Sequence, residues 1–279
     1  MNDVVKTTID YAPLSGSRRL LIRAIEDLRE GLREHELWIT MGLQDLKRRY
    51  RRSVLGPLWL TLSLAILVAA LSLLYGRLMN VPLERYVPHL ALGFIAWQFI
   101  SGVVSDSCNV FISNKGWITN VRTPLSLFVF RMIWEHLLMM GHNALVYLGV
   151  AVLFGIFAGS AGLLIIPGLA LLVLNAIWVG LLLGTLCARF RDVPQIVQSV
   201  MRIAFFLTPV IWMAEQLGTR AYLAHFNPFS YFVECIRAPL IGEVPSELTW
   251  GLGLAVTVLG WTLAGLVFVR FRGRVAYWL

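Results

Sequence analysis

Charge is what this 279-residue sequence has least of. Only 14% of it is Asp, Glu, Lys or Arg, against about 25% in an ordinary soluble domain. Apolar residues fill the gap at 58%, and mean hydropathy is +0.72. That balance excludes a soluble enzyme, a fibrous protein and a disordered tail, and leaves a polytopic membrane protein. Cysteine is scarce too. Cys108, Cys187 and Cys235 are widely spaced, with no CxxC pair, which argues against a disulfide framework or a zinc site. There are three lysines, Lys6, Lys47 and Lys115, and none follows a glycine. A P-loop needs Gly-Lys-Ser/Thr to cradle phosphates, so ATP is not expected to bind through such a loop here. GxSxG, HExxH, GxGxxG and Asp-x-Asp are missing as well. His136 and His142 are six apart, too far around a helix to share a ligand face. No catalytic site, metal or resident cofactor is expected. The first 19 residues lack an apolar run, so the N-terminus is not expected to be exported.

What the sequence does have is long charge-free runs. Residues 53–76, 86–105, 136–188 and 248–269 contain no Asp, Glu, Lys or Arg. The third is too long for one crossing and is broken at Ala158-Gly159-Ser160-Ala161-Gly162. With residues 194–213, which are apolar despite Arg202 and Pro209, the expected spans are about 53–76, 86–112, 126–157, 163–188, 194–213 and 248–269. Each is about as long as the ~30 Å hydrocarbon core requires. The expected fold is therefore an all-α integral membrane protein with six transmembrane helices and both termini cytoplasmic. Residues 1–52 form cytosolic N-terminal helices, and residues 53–279 form the six-span domain.

The basic residues support this orientation. Eighteen Lys and Arg fall on one side of that topology, eleven of them within 1–57. Only Arg77, Arg85, Arg220 and Arg237 fall on the other, with Arg131 and Arg202 inside spans. That is the positive-inside pattern. A seventh span at 220–242 would invert Arg270, Arg272 and Arg274. The segment is interrupted by Asn227-Pro228 and carries Glu234, Arg237 and Pro239. It reads as an outer re-entrant or surface-lying hairpin between spans 5 and 6. Non-helical backbone at that depth requires protein or a water-filled cavity beside it.

Before the first span, Leu21, Ile25, Leu28 and Leu32 make one apolar stripe on a charged helix, which Gly31 is expected to bend. A second segment, His35–Tyr50, brings Leu37, Trp38, Met41 and Leu46 and ends in basic residues. It suits an amphipathic helix at the membrane interface.

Tyr50-Arg51-Arg52-Ser53-Val54-Leu55-Gly56-Pro57-Leu58-Trp59 resembles the entry to the first span in permease subunits of ABC-2 type exporters. The branch it is most similar to carries lipid-linked polysaccharides: O-antigen, capsule and teichoic acid. His35-Glu36-Leu37-Trp38 is similar to that family's interface helix. Asn114–Pro124, with Asn114, Lys115 and Arg122, looks like its first coupling loop. Ala188–Val193, with Arg189, Arg191 and Asp192, looks like the loop after the fourth span. Asn227, Pro228, Phe229 and Tyr231 through Arg237 resemble its outer hairpin. The resemblance covers residues 35–279 and leaves 1–34 unassigned. It implies a permease that pairs with a second copy of itself and with two copies of a separate ATPase. ATP and Mg would sit on that ATPase, and a lipid-linked polysaccharide, O-antigen-like first of all, would cross the bacterial inner membrane between the permease copies. An ABC-2 exporter of a small hydrophobic drug or lipid, and a membrane enzyme of glycan assembly, are the rival readings.

Individual residues carry two readings each. Arg48, Arg49, Arg51 and Arg52 suit a lipid pyrophosphate, because guanidinium forks match phosphate oxygens. They equally suit membrane topology and anionic lipid attraction. Arg131 and Glu135, one turn apart, are expected to pair with each other. Arg202 either lines a pathway or pairs with a residue such as Asp106. Trp59, Tyr75, Phe205, Phe206 and Trp212 are candidates for channel lining, where aromatic faces would stack on sugars. Tyr86, Trp250 and Trp278 are expected in the interfacial belts. Phe229, Tyr231 and Phe232 either gate the exit or pack the hairpin.

Overall fold

The computed structural model describes residues 16–51, 53–78, 81–216 and 226–279. Arg52, Arg220 and residues 220–225 of the expected hairpin lie outside the described residues. Among those described there are helices and no strands. The helices are α1 (Ser17–Arg33), α2 (His35–Arg49), α3 (Leu58–Leu78), α4 (Leu83–Ser107), α5 (Lys115–Asn120), α6 (Leu125–Phe154), α7 (Ile165–Arg189), α8 (Val193–Leu207), α9 (Pro228–Leu240), α10 (Glu247–Phe271) and α11 (Val275–Trp278).

Among the described residues, five stretches are long and apolar enough to cross a membrane: Leu58–Gly76, Leu83–Ser107, Leu125–Phe154, Gly159–Arg189 and Glu247–Trp278. They match five of the six expected spans. The remaining one, 194–213, is not a continuous helix. Helix α8 stops at Leu207, and its 15 residues reach only about 22 Å. Pro209 is the cause: the residue before a proline is pushed out of the helical region, and Thr208 sits at φ −85, ψ 135.

The ends of the other helices follow local chemistry. Helix α6 ends at Gly155 in the left-handed region, φ 64, where a side chain would be strained. The Ser246 hydroxyl accepts from the Thr249 N–H at 3.2 Å and starts α10.

Helix α4 is the centre of the bundle. Of its most apolar window, 72% is buried, against 17% for α3. It packs on α3, α6, α7, α8 and α9. Helix α10 closes the other side against α7 and α9. Helices α1 and α2 both lie on α6. Gly31 does not bend α1, which runs through to Arg33. A Cβ there would stand 2.2 Å from Ser126 Oγ, so the glycine serves close packing rather than a break. Tyr86, expected in an interfacial belt, is fully buried, with its hydroxyl donating to the Ile211 carbonyl at 2.7 Å.

Candidate coupling and translocation site

One end of the bundle is basic: it gathers α1, α2, α5 and the C-terminal ends of α4, α7 and α10. Helix α2 meets α6 through Trp38, Gly42, Asp45 and Arg49, spaced 4, 3 and 4 and hence on one face. Trp38 packs on Phe130 and Trp134 with ring centroids 6.2 and 6.1 Å apart. Asp45 Oδ2 accepts from Arg131 Nε at 2.5 Å, and Arg49 Nη2 bonds Glu135 Oε1 at 2.7 Å. Arg131 and Glu135, expected from the sequence to pair with each other, instead each hold α2. Their i,i+4 spacing serves two parallel bridges to a neighbouring helix.

Arg131 makes a second contact. Its Nη1 donates to Asn114 Oδ1 at 3.1 Å, and Asn114 is the residue that opens α5. Asn114 Nδ2 donates to the Val110 carbonyl at 2.7 Å. One guanidinium thus ties together α2, α5 and α6. Lys115 and Arg122 flank this junction and are exposed. Arg48, Arg49 and Arg51 are all exposed, and of these Arg49 is paired with Glu135.

The 189–192 loop is held by the C-terminus. Arg189, the last residue of α7, has its guanidinium 5.7 Å from the Trp278 ring and 5.8 Å from that of Phe190. Arg191 Nη2 donates to the Trp278 carbonyl at 3.5 Å. Asp192 precedes α8 and is exposed. Helix α11 packs on both α5 and α7, so Trp278 anchors this loop. Sequence reasoning missed this because Trp278 lies 87 residues from Arg191.

It also missed Asp27, which is fully buried. Its carboxylate accepts from the backbone N–H groups of Leu125 and Ser126 at 3.0 and 2.9 Å and from Arg272 Nε at 2.6 Å. It caps α6 from 98 residues away and fastens the end of α10. Its only signal in the sequence is an acid next to the apolar stripe of α1.

At the far end, the chain after α8 is irregular, and its carbonyls are claimed by neighbours. Arg237, 6% exposed, donates from Nη1 to the Pro209 carbonyl at 2.7 Å and from Nη2 to Glu234 Oε2 at 2.5 Å. His89 Nε2 lies 3.1 Å from that guanidinium and 3.2 Å from the Trp212 carbonyl. Asn227 caps α9 by accepting from the Phe229 N–H at 3.0 Å, with Pro228 in the first turn, a favoured pairing. Its amide also donates to Thr208 Oγ1 at 2.8 Å. The Asn-Pro-Phe motif is thus a helix start tied to the break after α8. Tyr231 and Phe232 are buried. Beside them a cavity of about 610 Å³ is lined by Arg85, His89, Pro209, Glu215, Glu234 and Arg237, among others.

The aromatic candidates divide. Phe205 packs between Phe94 and Trp97, centroids 5.8 and 5.6 Å away, and Trp97 also meets Phe229 at 5.6 Å. These are packing contacts. Phe206 is 72% exposed and Trp59 51%; Tyr75 and Trp212 are half-buried, the latter donating to the Phe206 carbonyl at 3.0 Å. Arg202 is exposed and donates to Ser199 Oγ at 3.1 Å. Its alternative partner, Asp106, bonds His136 Nε2 at 3.0 Å instead.

Comparison with known proteins agrees with these elements. The family model for the ABC-2 type transporter matches residues 36–241. An O-antigen export system permease of Klebsiella pneumoniae is 22% identical over 246 residues, 85% of this chain and 93% of its own. The corresponding permease of Myxococcus xanthus is 23% identical over 208 residues, 72% of this chain and 78% of its own. With the match running from the start of α2 through the whole of α9, the chain belongs to the ABC-2 type transporter family.

Proposed function

We propose that this chain is the permease subunit of an ATP-driven exporter that moves a lipid-linked polysaccharide, O-antigen-like first of all, across the bacterial inner membrane. The observation that carries the substrate class is the likeness to O-antigen export permeases over most of the length of both chains. Two copies of this chain would pair with two copies of a separate ATPase carrying ATP and Mg.

The path of the chain supports six crossings with both termini cytoplasmic. The Asp27–Arg272 bond joins the N-terminal helix to the end of α10, so the number of crossings between them is even. Five helices account for five. The sixth is α8 continued by the irregular 208–215 segment, since Glu215 reaches Arg85 at the start of α4 at 2.7 Å. Helix α9 then starts near the break, with Asn227 on Thr208. It ends where the Tyr147 hydroxyl donates to the Leu240 carbonyl, near the end of α6. That is a re-entrant arm. Its side chains and those of α4 satisfy the irregular carbonyls, as backbone at that depth requires.

The basic end would face the cytosol. There α5 and the Arg189–Asp192 loop would receive the ATPase stroke, through Asn114, Lys115, Arg122, Arg189, Arg191 and Asp192. Arg131 would pass it to α2 and α6. Arg48, Arg51 and Arg52 would hold the pyrophosphate of the lipid carrier, with Arg49 shared with Glu135. Trp59, Tyr75, Arg202, Phe206 and Trp212 would face the sugar between the first and fifth spans of the two copies.

The test is deletion of the chain from its native cell, with separate assay of surface polymer and intracellular lipid-linked polymer. Loss of surface polymer with build-up of the lipid-linked form inside supports the proposal. Normal surface polymer with a hydrophobic compound retained inside contradicts the substrate class. Loss of the polymer itself, inside and out, points to the assembly-enzyme reading.

A further inference from the structure

Helix α1 lies outside the region matched to the family, which begins at residue 36. It is amphipathic in an unusual way, because its apolar sector is wider than its docking face. Ala24, Asp27 and Gly31 are buried against α6 and α10, with Leu28 partly so. Next to that face, Leu21, Ile25 and Leu32 are 49%, 51% and 56% exposed. At about 100° per residue, these three lie on one line roughly a quarter-turn from the docked face. Arg18 and Arg29 follow on the outer flank of that line, with Ile22 and Arg33 just beyond.

We propose that this second face of α1 lies on the inner leaflet, its apolar line in the boundary between headgroups and acyl chains and its arginines on anionic lipid headgroups. Three observations support a lipid surface over other occupants. The depth fits: Asp27 is bonded to Arg272, which lies with Arg270 and Arg274 where the apolar run of α10 gives way to charge. The charge fits: α1 carries five arginines, and of its three acids Asp27 is consumed internally, leaving Glu26 and Glu30. The order around the helix fits: arginines border the apolar line, where long cationic side chains reach the headgroups while their stems cover apolar surface. The Asp27 bonds to Leu125 and Ser126 fix α1 to the first turn of α6, the helix that follows α5, the element proposed to meet the ATPase. The lipid contact itself does not depend on that functional proposal.

The test uses the full-length chain in nanodiscs holding one copy, with an environment-sensitive fluorophore on Ile25→Cys and, separately, on Glu30→Cys. The three native cysteines are buried. Discs are made of phosphatidylcholine, with or without phosphatidylglycerol. Support is a blue-shifted Ile25 probe quenched by shallow brominated lipid, and a Glu30 probe open to aqueous iodide. Protection of the Ile25 probe rises with phosphatidylglycerol and falls several-fold in Arg18→Gln/Arg29→Gln. An Ile25 probe as open to iodide as the Glu30 probe overturns the proposal. So does protection without lipid quenching, which would mean that another part of the chain covers the face. Equal protection in both lipids overturns the assignment of anionic headgroups.

Discussion

Three side chains hold more of this molecule than their neighbours do, and each connects elements far apart in sequence. Asp27 accepts two backbone N–H groups and one guanidinium in a fully buried setting. Asp27→Ala leaves all three without their partner, at a cost of about 3 kcal/mol. The expected outcome is a lower midpoint in detergent thermal unfolding and new protease cuts in α1, with Asp27→Asn intermediate. Arg131 joins α2, α5 and α6. Arg131→Met strands the mostly buried Asp45 and costs ~2 kcal/mol, while adding Asp45→Asn recovers part of that loss. A double-mutant cycle on unfolding free energies checks this; strict additivity would contradict the bridge. At the far end, Arg237→Leu leaves Glu234 and the Pro209 carbonyl unpaired beside the cavity. Loss of a buried ion-pair partner costs about 3–5 kcal/mol, so this variant is expected to fold poorly, measured by monodispersity after extraction.

At the level of elements, the sequence was most legible where one physical signal dominated. Charge-free runs located α3, α4, α6, α7 and α10, because burial of charge in lipid is costly enough to leave a clear mark. Asn227-Pro228 read from the sequence only as an interruption; in the fold it is the capped start of α9, and Ser246, which drew no notice, caps α10. Legibility failed where a residue answers to a partner on another helix. Arg131 and Glu135 looked like an internal pair, since the sequence does not say that Asp45 and Arg49 face them. Gly31 looked like a bend, since the tight approach of Ser126 is a tertiary fact. The stop of α8 was written in Pro209, but the apolar residues beyond it masked the break. Phe205 looked like Phe206, although only one of the two is packed inward. The coupling elements remain a proposal with a sharp consequence. Arg189→Ala/Asp192→Ala is expected to abolish export while leaving membrane insertion and ATP hydrolysis in place. Trp278→Ala, which removes the ring under Arg189, is expected to lower export at least several-fold. Unchanged export in both would remove this loop from the coupling path.

For the whole molecule, the arrangement is a buried central helix, α4, surrounded by helices whose outer faces remain apolar. On α3, Ile66, Leu73 and Leu74 are 59%, 65% and 56% exposed, and on α8 Ile203 and Phe206 are 62% and 72% exposed. Such faces meet lipid or a second copy. The proposed pathway runs between two copies at these helices. The Asp27–Arg272 bond brings α1 to the end of α10, so these two helices and all proposed coupling elements share the basic end. That arrangement suits the proposed exporter, which would need one face for the motor and another for the cargo. The most direct measurement is to extract the chain from its native membranes in mild detergent and determine the composition and stoichiometry of what comes with it. Two copies of this chain with two copies of an ABC ATPase are expected. A folded chain that carries no ATPase would contradict the proposal of an ATP-driven exporter.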